Sequence, residues 1–211
     1  MLEIRTLESK RVREAARVLA EAFTDEPLIT QMVPLGTLHR QRKIADYFVW
    51  NMRHTGLRTV DVAVDPHHET IVGVALWRPP GHVSRWLPGL PAKPGVLRGV
   101  GLRGLRVLEA HTAAVADLHP DEPHWHLIGV GTSRRHSPGT PATPVPEVEA
   151  ALIAHRLREI DGTGCLASLE ARTPEHVERY VDFGFAPHCT LDGAAVGTAM
   201  MWRAPAARLA A

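Results

Sequence analysis

Three features are scarce in this sequence, and each scarcity excludes a class of protein. Only two cysteines, Cys165 and Cys189, occur in 211 residues, without CxxC spacing, so we expect neither a disulfide framework nor a thiolate metal site. No uncharged apolar run is long enough for a membrane span, and the charged N-terminus does not resemble a signal peptide. The net charge of +1 gives no reason to expect nucleic-acid or membrane binding. We therefore expect a protein of the cytoplasm.

The composition is otherwise that of an ordinary globular domain, with one excess. Apolar residues make up 45% and charged residues 22%, so disorder is not expected. A chain of this length buries a substantial core, and we expect a single domain over 1–211. Residues 79–95 are rich in proline and glycine and predict an irregular insertion within it. The excess is histidine, with 13 residues.

Hydrophobic periodicity predicts the element order β-α-α-β-β-α-β-α-β-α-β-β. The predicted helices cover about 10–23, 38–54, 96–118, 147–160 and 174–182, and the predicted strands 2–6, 60–64, 70–77, 124–131, 165–171, 186–191 and 195–203. The second and third strands should form an antiparallel hairpin, and 124–131 should pair in parallel with 165–171 across a helix. This order predicts an α/β fold of the mixed, α+β type, with a central sheet of about six or seven strands flanked by helices.

The strand 124–131, HWHLIGVG, carries the pair His124-x-His126. Alternate strand residues point to the same face, so both imidazoles should face one volume. An imidazole titrates near neutrality and can take a proton from an amine nucleophile, which predicts a catalytic role. Two buried, hydrogen-bonded strand histidines are the alternative. A metal pair is a third interpretation, but no third ligand follows from the spacing, so no metal site is expected.

The element order, with the segments HLIGV, CLASLEA and TPEHVERYVDFGF, resembles the GNAT acyltransferase superfamily over nearly the whole chain. The resemblance implies an acyl-CoA-dependent N-acyltransferase, with acetyl-CoA as the simplest co-substrate and a small-molecule amine as acceptor. It implies that the strand containing Ile128 and Val130 pairs with the pantetheine arm, and that Tyr180 protonates the departing thiolate. The His-x-His pair is similar to that of arylalkylamine N-acetyltransferases, and His-Trp is similar to puromycin-type N-acetyltransferases.

The loop after this strand departs from the pattern that the family uses for pyrophosphate. Arg134, Arg135 and Gly139 are the candidate phosphate-binding residues. The family's pattern is Gln or Arg, then Gly three positions on, then Gly or Ala two further, and no register of the loop satisfies all three. Prolines remove backbone donors from the loop, at Pro138, Pro141, Pro144 and Pro146. Two acids in the first turn of the next helix, Glu147 and Glu149, would repel phosphate. The alternatives are therefore a GNAT-fold enzyme without CoA that performs cyclisation, elimination or hydrolysis, or a non-catalytic binding module.

Four further residues have two interpretations each. Glu170 lies late in the strand 165–171, where it could bind an amine or act as a base, although an isolated carboxylate is more often a solvated strand end. Phe23, Trp50 and Trp77 could line an acceptor pocket, although their spacing is equally that of core residues. The expected partner is a small molecule rather than nucleic acid or membrane, and a homodimer stays open.

Overall fold

The computed structural model describes residues 2–81, 94–133, 147–191 and 198–205. Within them, seven strands are β1 (Glu3–Thr6), β2 (Val60–Asp65), β3 (Thr70–Arg78), β4 (His124–Thr132), β5 (Leu166–Ala171), β6 (Ala186–Leu191) and β7 (Thr198–Arg203). The helices are α1 (Val12–Ala22), α2 (Pro27–Met32), α3 (Arg40–Thr55), α4 (Pro94–Val115), α5 (Glu147–Thr163) and α6 (Pro174–Val181). The α/β prediction with a mixed sheet flanked by helices is confirmed.

The sheet has the strand order β1-β2-β3-β4-β5-β7-β6. The hairpin of β2 and β3 and the final hairpin of β6 and β7 are antiparallel, whereas β4 and β5 are parallel and are connected through α5. The antiparallel pairing of β2 with β3 and the parallel pairing of β4 with β5 match the sequence prediction. Two antiparallel strands accept a short turn, whereas a parallel pair needs a crossover helix.

Strands β4 and β5 separate part-way along their length. Their parallel register runs from His124 opposite Leu166 to Leu127 opposite Leu169 and ends there within the described residues, while β4 itself continues to Thr132. On its other side β4 stays paired with β3 as far as Thr132, with a register shift opposite Leu76 and Trp77. A gap therefore opens on the β5 side of the second half of β4.

The two faces of the sheet support two hydrophobic clusters. Helices α1 to α4 cover one face, where Val74, Leu76 and Ile128 pack with them, and α5 covers the other, where Trp77 and Leu127 pack. Successive side chains of a strand point to opposite faces of the sheet, so Leu76 and Trp77 pack in different clusters. Trp77 is completely buried on the α5 face. It is therefore core, and the acceptor-pocket interpretation of Trp77 is wrong.

The glycines of HWHLIGVG allow α1 to approach β4 closely. A Cβ atom on Gly129 would lie 2.7 Å from the ring of Phe23, and one on Gly131 would lie 2.4 Å from the Cβ of Ala22. Neither position has space for a side chain. The end of α1, with Phe23, is thereby held against the strand that carries His126.

Two helices differ from the sequence prediction. Helix α1 ends at Ala22, close to the predicted end, but the prediction missed α2. The first turn of α2 begins at Pro27 and is capped by Glu26, whose Oε2 lies 2.9 Å from the Ile29 nitrogen. Helix α4 begins at Pro94 rather than 96 and is kinked at Gly101, whose φ of +70° only glycine adopts readily. No helix of the described part of the chain is long and apolar enough to cross a membrane.

Candidate active site

Polar side chains of three neighbouring strands meet on the face that helices α1 to α4 cover. Arg78 of β3 is opposite His126 of β4, which in turn is opposite Ser168 of β5. Glu170 lies two residues beyond Ser168 and so shares its face. This cluster lies where β4 and β5 begin to separate.

The cluster forms one wall of a cavity of about 110 Å³. Phe23, just after α1, and Trp50 of α3 also line the cavity, and α4 contributes His111. The pocket interpretation of Phe23 and Trp50 therefore agrees with their positions. The volume suits a small molecule rather than a drug-sized one.

His126 is buried, with 4% of its surface exposed, and its environment favours the neutral imidazole. Burial lowers the pKa of His126 well below 6.5, and the charge of Arg78 lowers it further. Its Nδ1 lies 2.9 Å from the Oγ of Ser168, whose hydroxyl donates to the Trp125 carbonyl at 3.5 Å. When this hydroxyl donates to Trp125, it accepts from a protonated Nδ1, and Nε2 is then unprotonated and can accept a proton.

His119, which precedes β4, connects the two histidines of the His-x-His pair. Its ring contacts that of His126 with centroids 4.8 Å apart, and its Nδ1 lies 3.2 Å from the Nε2 of His124. The Nδ1 of His124 lies 2.9 Å from the carbonyl oxygen of Glu122, which can only accept, so His124 donates there and accepts from His119. The structure thus brings His124 and His126 to one region, with His124 behind His119 rather than in the cavity lining.

Glu170 is a buried, multiply bonded carboxylate. Its Oε2 accepts hydrogen bonds from Arg172 at 2.8 Å and from His111 at 2.7 Å. Burial alone would raise the pKa of Glu170, but Arg172 and His111 hold it well below its usual range. Its Oε1 lies 3.9 Å from the Nε2 of His126. The interpretation of Glu170 as a solvated strand end is therefore wrong.

Arg172, just after β5, is shared between two carboxylates. It bonds Glu26 at 3.1 Å as well as Glu170, and its side chain is 13% exposed. Both Glu26 oxygens are engaged, because Oε2 caps α2 while Oε1 meets Arg172. Of these two carboxylates, only Glu170 keeps an oxygen, Oε1, without a close hydrogen bond in the described part of the chain.

Three of these residues have the spacing of a metal site that the sequence did not reveal. His119, His126 and Glu170 each offer one ligand atom, all within 4.8 Å of one another. The sequence did not reveal this group because His119 precedes β4 and Glu170 lies on β5, so neither has a regular spacing from His126. The charge of Arg78 opposes a cation here, since it already lowers the pKa of both His119 and His126.

The known proteins that match this chain are solved structures. No protein-family model and no curated protein matches the sequence. The structure is similar to that of a histone acetyltransferase HPA2 and related acetyltransferase from Corynebacterium glutamicum, with 23% identity, 97% of each chain covered and a TM-score of 0.72. A mosquito arylalkylamine N-acetyltransferase like 5b has 14% identity, covers 97% of this chain and 100% of its own, and has a TM-score of 0.60.

A third similar structure is the C-terminal condensation domain of Ebony in complex with beta-alanyl-dopamine. It has 13% identity, covers 97% of this chain and 99% of its own, and has a TM-score of 0.63. The chain has the GNAT fold. The resemblance inferred from the sequence is thus confirmed at the level of the fold.

The gap between β4 and β5 lies beside the second half of β4, which carries Ile128 and Val130. Ile128 and Val130 lie in the part of β4 that has no β5 partner among the described residues. Ile128 faces the helix α1 side and Val130 the α5 side. The predicted phosphate-binding residues, Arg134, Arg135 and Gly139, lie outside the described residues, as do the prolines Pro138, Pro141, Pro144 and Pro146.

Tyr180 lies on α6 and not in the cavity lining with His126. It packs against Phe185 and the cluster under α5. Burial, with a contribution from Glu149, raises the pKa of Tyr180 to about 12, so the phenol stays protonated and can donate a hydrogen bond.

Glu149 is buried in the first turn of α5, where the fold would place phosphate. Its exposed fraction is 8%, and burial raises its pKa to about 7. It accepts from the backbone of Thr132 and lies 4.0 Å from Arg179. A carboxylate thus occupies the region of this helix N-terminus, as the sequence predicted.

Sequence reasoning missed five residues of the cluster. They come from separate elements, and only the folded sheet and α4 bring them together: Arg78, His111, His119, Ser168 and Arg172. The period-two pattern could have found Ser168 and Arg78, because each is in register with His126 on a neighbouring strand. No comparable signal marks His111 or His119.

Proposed function

We propose that the protein is an N-acyltransferase that transfers an acyl group, acetyl in the simplest case, from acyl-CoA to a small-molecule amine. One observation carries the proposal: a buried histidine, His126, whose burial favours the neutral imidazole, lines a small cavity beside the gap between β4 and β5. A base at the meeting point of an acceptor cavity and a thioester slot is the arrangement that aminolysis needs.

The chemistry balances with residues of this chain. The acceptor nitrogen forms a bond to the acyl carbon while the carbon–sulfur bond of the thioester breaks. His126 accepts the proton that the nitrogen loses, directly or through water, and Tyr180 donates a proton to the sulfur. The thioester supplies an activated acyl group when it is bound. Backbone N–H groups near Val130 would stabilise the developing oxyanion.

The acceptor is a small amine in this proposal. The cavity is small, and Glu170 Oε1 and His126 Nε2, 3.9 Å apart, are close enough for one nitrogen to donate to both. Similarity to an arylalkylamine N-acetyltransferase supports this acceptor class.

A cytoplasmic location agrees with the two cysteines, Cys165 and Cys189, which are free thiols.

Acetyl-CoA and a panel of amines test the proposal. We expect release of free CoA thiol and formation of the N-acetyl amine by mass spectrometry. His126→Gln should lower kcat by about a hundredfold or more, the usual contribution of a positioned base. His68→Gln, whose side chain is 75% exposed, is the matched control and should retain wild-type turnover. No heat of binding with millimolar acetyl-CoA, together with no N-acetyl product, would overturn the proposal.

A second candidate is a GNAT-fold enzyme that does not use CoA. Two observations favour it: the prolines of segment 134–146 in the sequence, and Glu149 buried at the start of α5. A condensation domain solved in complex with beta-alanyl-dopamine has a similar structure. Such an enzyme would use His126 and Glu170 for proton transfer on a small metabolite. It predicts turnover without acetyl-CoA, with the same loss in His126→Gln.

A further inference from the structure

The cavity beside His126 is lined by buried donors that have no partner. Within the described residues, the buried side-chain atoms without a hydrogen bond are all nitrogens, and two of the five are the Nε atoms of Arg78 and Arg172, which line this cavity. Leaving such donors unpaired costs free energy, so buried donors normally have partners. A ligand of this cavity therefore needs hydrogen-bond acceptors.

Arg78 has the greatest need of a partner. In the described part of the chain, no hydrogen bond or ion pair joins its guanidinium to another residue. Its environment disfavours the charge, since burial lowers the pKa of Arg78. Arg172, by comparison, has two carboxylates, those of Glu26 and Glu170.

The charges of the cavity define the ligand further. Glu26 and Glu170 carry two negative charges, and both are bonded to Arg172, which leaves one negative charge in excess on that side. Arg78 is a separate positive charge on β3, two strands away from Glu170 on β5. An ammonium or amine can use the open Glu170 Oε1, and an anion can use Arg78. The cavity thus offers complementary partners for two opposite charges.

We propose that the acceptor carries a carboxylate as well as an amine, and that Arg78 binds the carboxylate while the amine lies between Glu170 and His126. This inference rests on the proposed function, because it names the substrate class of that transferase. A guanidinium fits a carboxylate in a fork of two hydrogen bonds, and Asn51 Nδ2 can supply a further donor. Amino acids and short ω-amino acids have this chemistry.

The order of the strands explains how Arg78 would orient the acceptor. Arg78 and His126 are direct partners in the β3–β4 register, and Glu170 lies one strand further. A carboxylate on Arg78 would therefore hold the attached amine near the unprotonated Nε2 of His126. An amine without a carboxylate loses this anchor and leaves the guanidinium unpaired, which an enzyme disfavours strongly.

Matched pairs of acceptors test this inference with acetyl-CoA as donor. Each pair is an amino acid and the amine left when its carboxylate is removed: β-alanine with ethylamine, γ-aminobutyrate with propylamine, leucine with isoamylamine, and phenylalanine with phenethylamine. We expect at least a tenfold higher kcat/KM for the amino acid in the pair that fits the cavity, because a charge-assisted bond is at stake. Arg78→Gln should reduce that preference at least tenfold through KM, and Arg78→Lys less.

Several outcomes would overturn the inference. Equal use of both members of every pair would remove the carboxylate from the substrate class. If Arg78→Gln lowers kcat equally for the amino acid and the amine of a pair, Arg78 stabilises the reaction and does not bind the carboxylate. Arg13→Gln, at a side chain that is 72% exposed, is the control for loss of a positive charge and should retain the preference.

Equilibrium binding separates this inference from the proposed function. The thermal shift of the protein with each amino acid or amine is measured without acetyl-CoA, in wild type and Arg78→Gln. If no acyl transfer occurs but amino acids bind and amines do not, the transferase fails and the carboxylate site stands. If transfer occurs but Arg78→Gln binds amino acids as tightly as wild type does, the carboxylate site fails and the transferase stands. Thermal melts of the free variants establish that both are folded.

Discussion

His126 and Ser168 are partners across the parallel strands β4 and β5, with Nδ1 2.9 Å from Oγ. The serine hydroxyl also lies 3.5 Å from the Trp125 carbonyl, and when it donates there it accepts from Nδ1 and leaves the Nε2 lone pair toward the cavity. We therefore expect this completely buried serine to favour that tautomer of the proposed base. The parallel register of β4 and β5 is enough to place these two residues side by side.

Ser168→Ala should reduce turnover without abolishing it. The change leaves the Nδ1 proton of His126 without its acceptor, so the other tautomer becomes accessible and the base loses its fixed orientation. We expect kcat to fall about fivefold to fiftyfold, with KM for acetyl-CoA unchanged, and the acid limb of the pH profile of kcat to move. Ser9→Ala, at an exposed residue, is the control. A profile that does not move would show that Ser168 only packs.

Tyr180→Phe should lower kcat with little effect on binding of acetyl-CoA. The raised pKa of Tyr180, about 12, keeps its hydroxyl protonated at neutral pH, so it acts as a donor and not as a base. We expect a loss of about tenfold to a hundredfold. Single-turnover kinetics and calorimetry separate chemistry from binding. Turnover equal to wild type would remove Tyr180 from the reaction and leave it as a core residue of α6.

Sequence patterns predicted the strands and most helices because burial imposes a period of two or 3.6 on the chain. They predicted that His124 and His126 face one region, but Ser168, which shares the face of Glu170 on β5, was missed. They did not predict that Glu170 is buried, because its partners His111 and Arg172 come from α4 and from the end of β5. Helix α2 was missed because its six residues are too few to show a period.

The stability of the protein should fall between pH 6.5 and 4 through His119. Burial and Arg78 lower the pKa of His119 to about 4, whereas the unfolded chain titrates near 6.5. Between these values the unfolded state binds a proton that the folded state does not, so the free energy of unfolding decreases as pH falls. The groups that face His119 are Arg78 of β3, His124 and His126 of β4, and Glu170 of β5.

Urea unfolding of wild type and His119→Gln at pH 7 and pH 4.5 measures this contribution. We expect the variant to lose less stability between the two values, by about 2 kcal/mol. His39→Asn, at an exposed histidine outside this cluster whose left-handed backbone asparagine tolerates, is the control. Identical pH slopes for His119→Gln and wild type would contradict the depressed pKa of His119.

Glu149 should act in the opposite direction. Burial raises its pKa to about 7 from 4.5, so the folded state holds a proton that the unfolded state releases between these values. The free energy of unfolding that this group contributes is therefore present at pH 4.5 and lost as pH rises through 7. Glu149→Gln removes this loss and keeps an oxygen that accepts from Thr132. We expect the variant to be more stable than wild type at pH 8 by about 1–2 kcal/mol, and little different at pH 5. Equal stability at pH 8 would contradict the raised pKa.

Asp61 and Arg156 form a buried ion pair outside the lining of the His126 cavity, and removal of either partner should be strongly destabilising. Two hydrogen bonds join them, at 2.8 Å and 2.5 Å, and Asp61 is 1% exposed. Burial raises the pKa of Asp61 even with the guanidinium beside it, so an unpaired partner would be costly. We expect Asp61→Asn and Arg156→Met each to cost about 3 kcal/mol or more in urea unfolding.

The double variant distinguishes the pair from packing. Asp61→Asn with Arg156→Met leaves no unpaired buried charge, so it should cost clearly less than the two single changes added together. The pair connects β2 to α5, and neither residue lines the cavity of His126. Initial rates at a temperature where all variants are folded should therefore stay near wild type. Strict additivity of the two losses would show that each side chain stabilises the fold through its own contacts, such as those of Arg156 with Glu159 and the Arg58 carbonyl, and not through the ion pair.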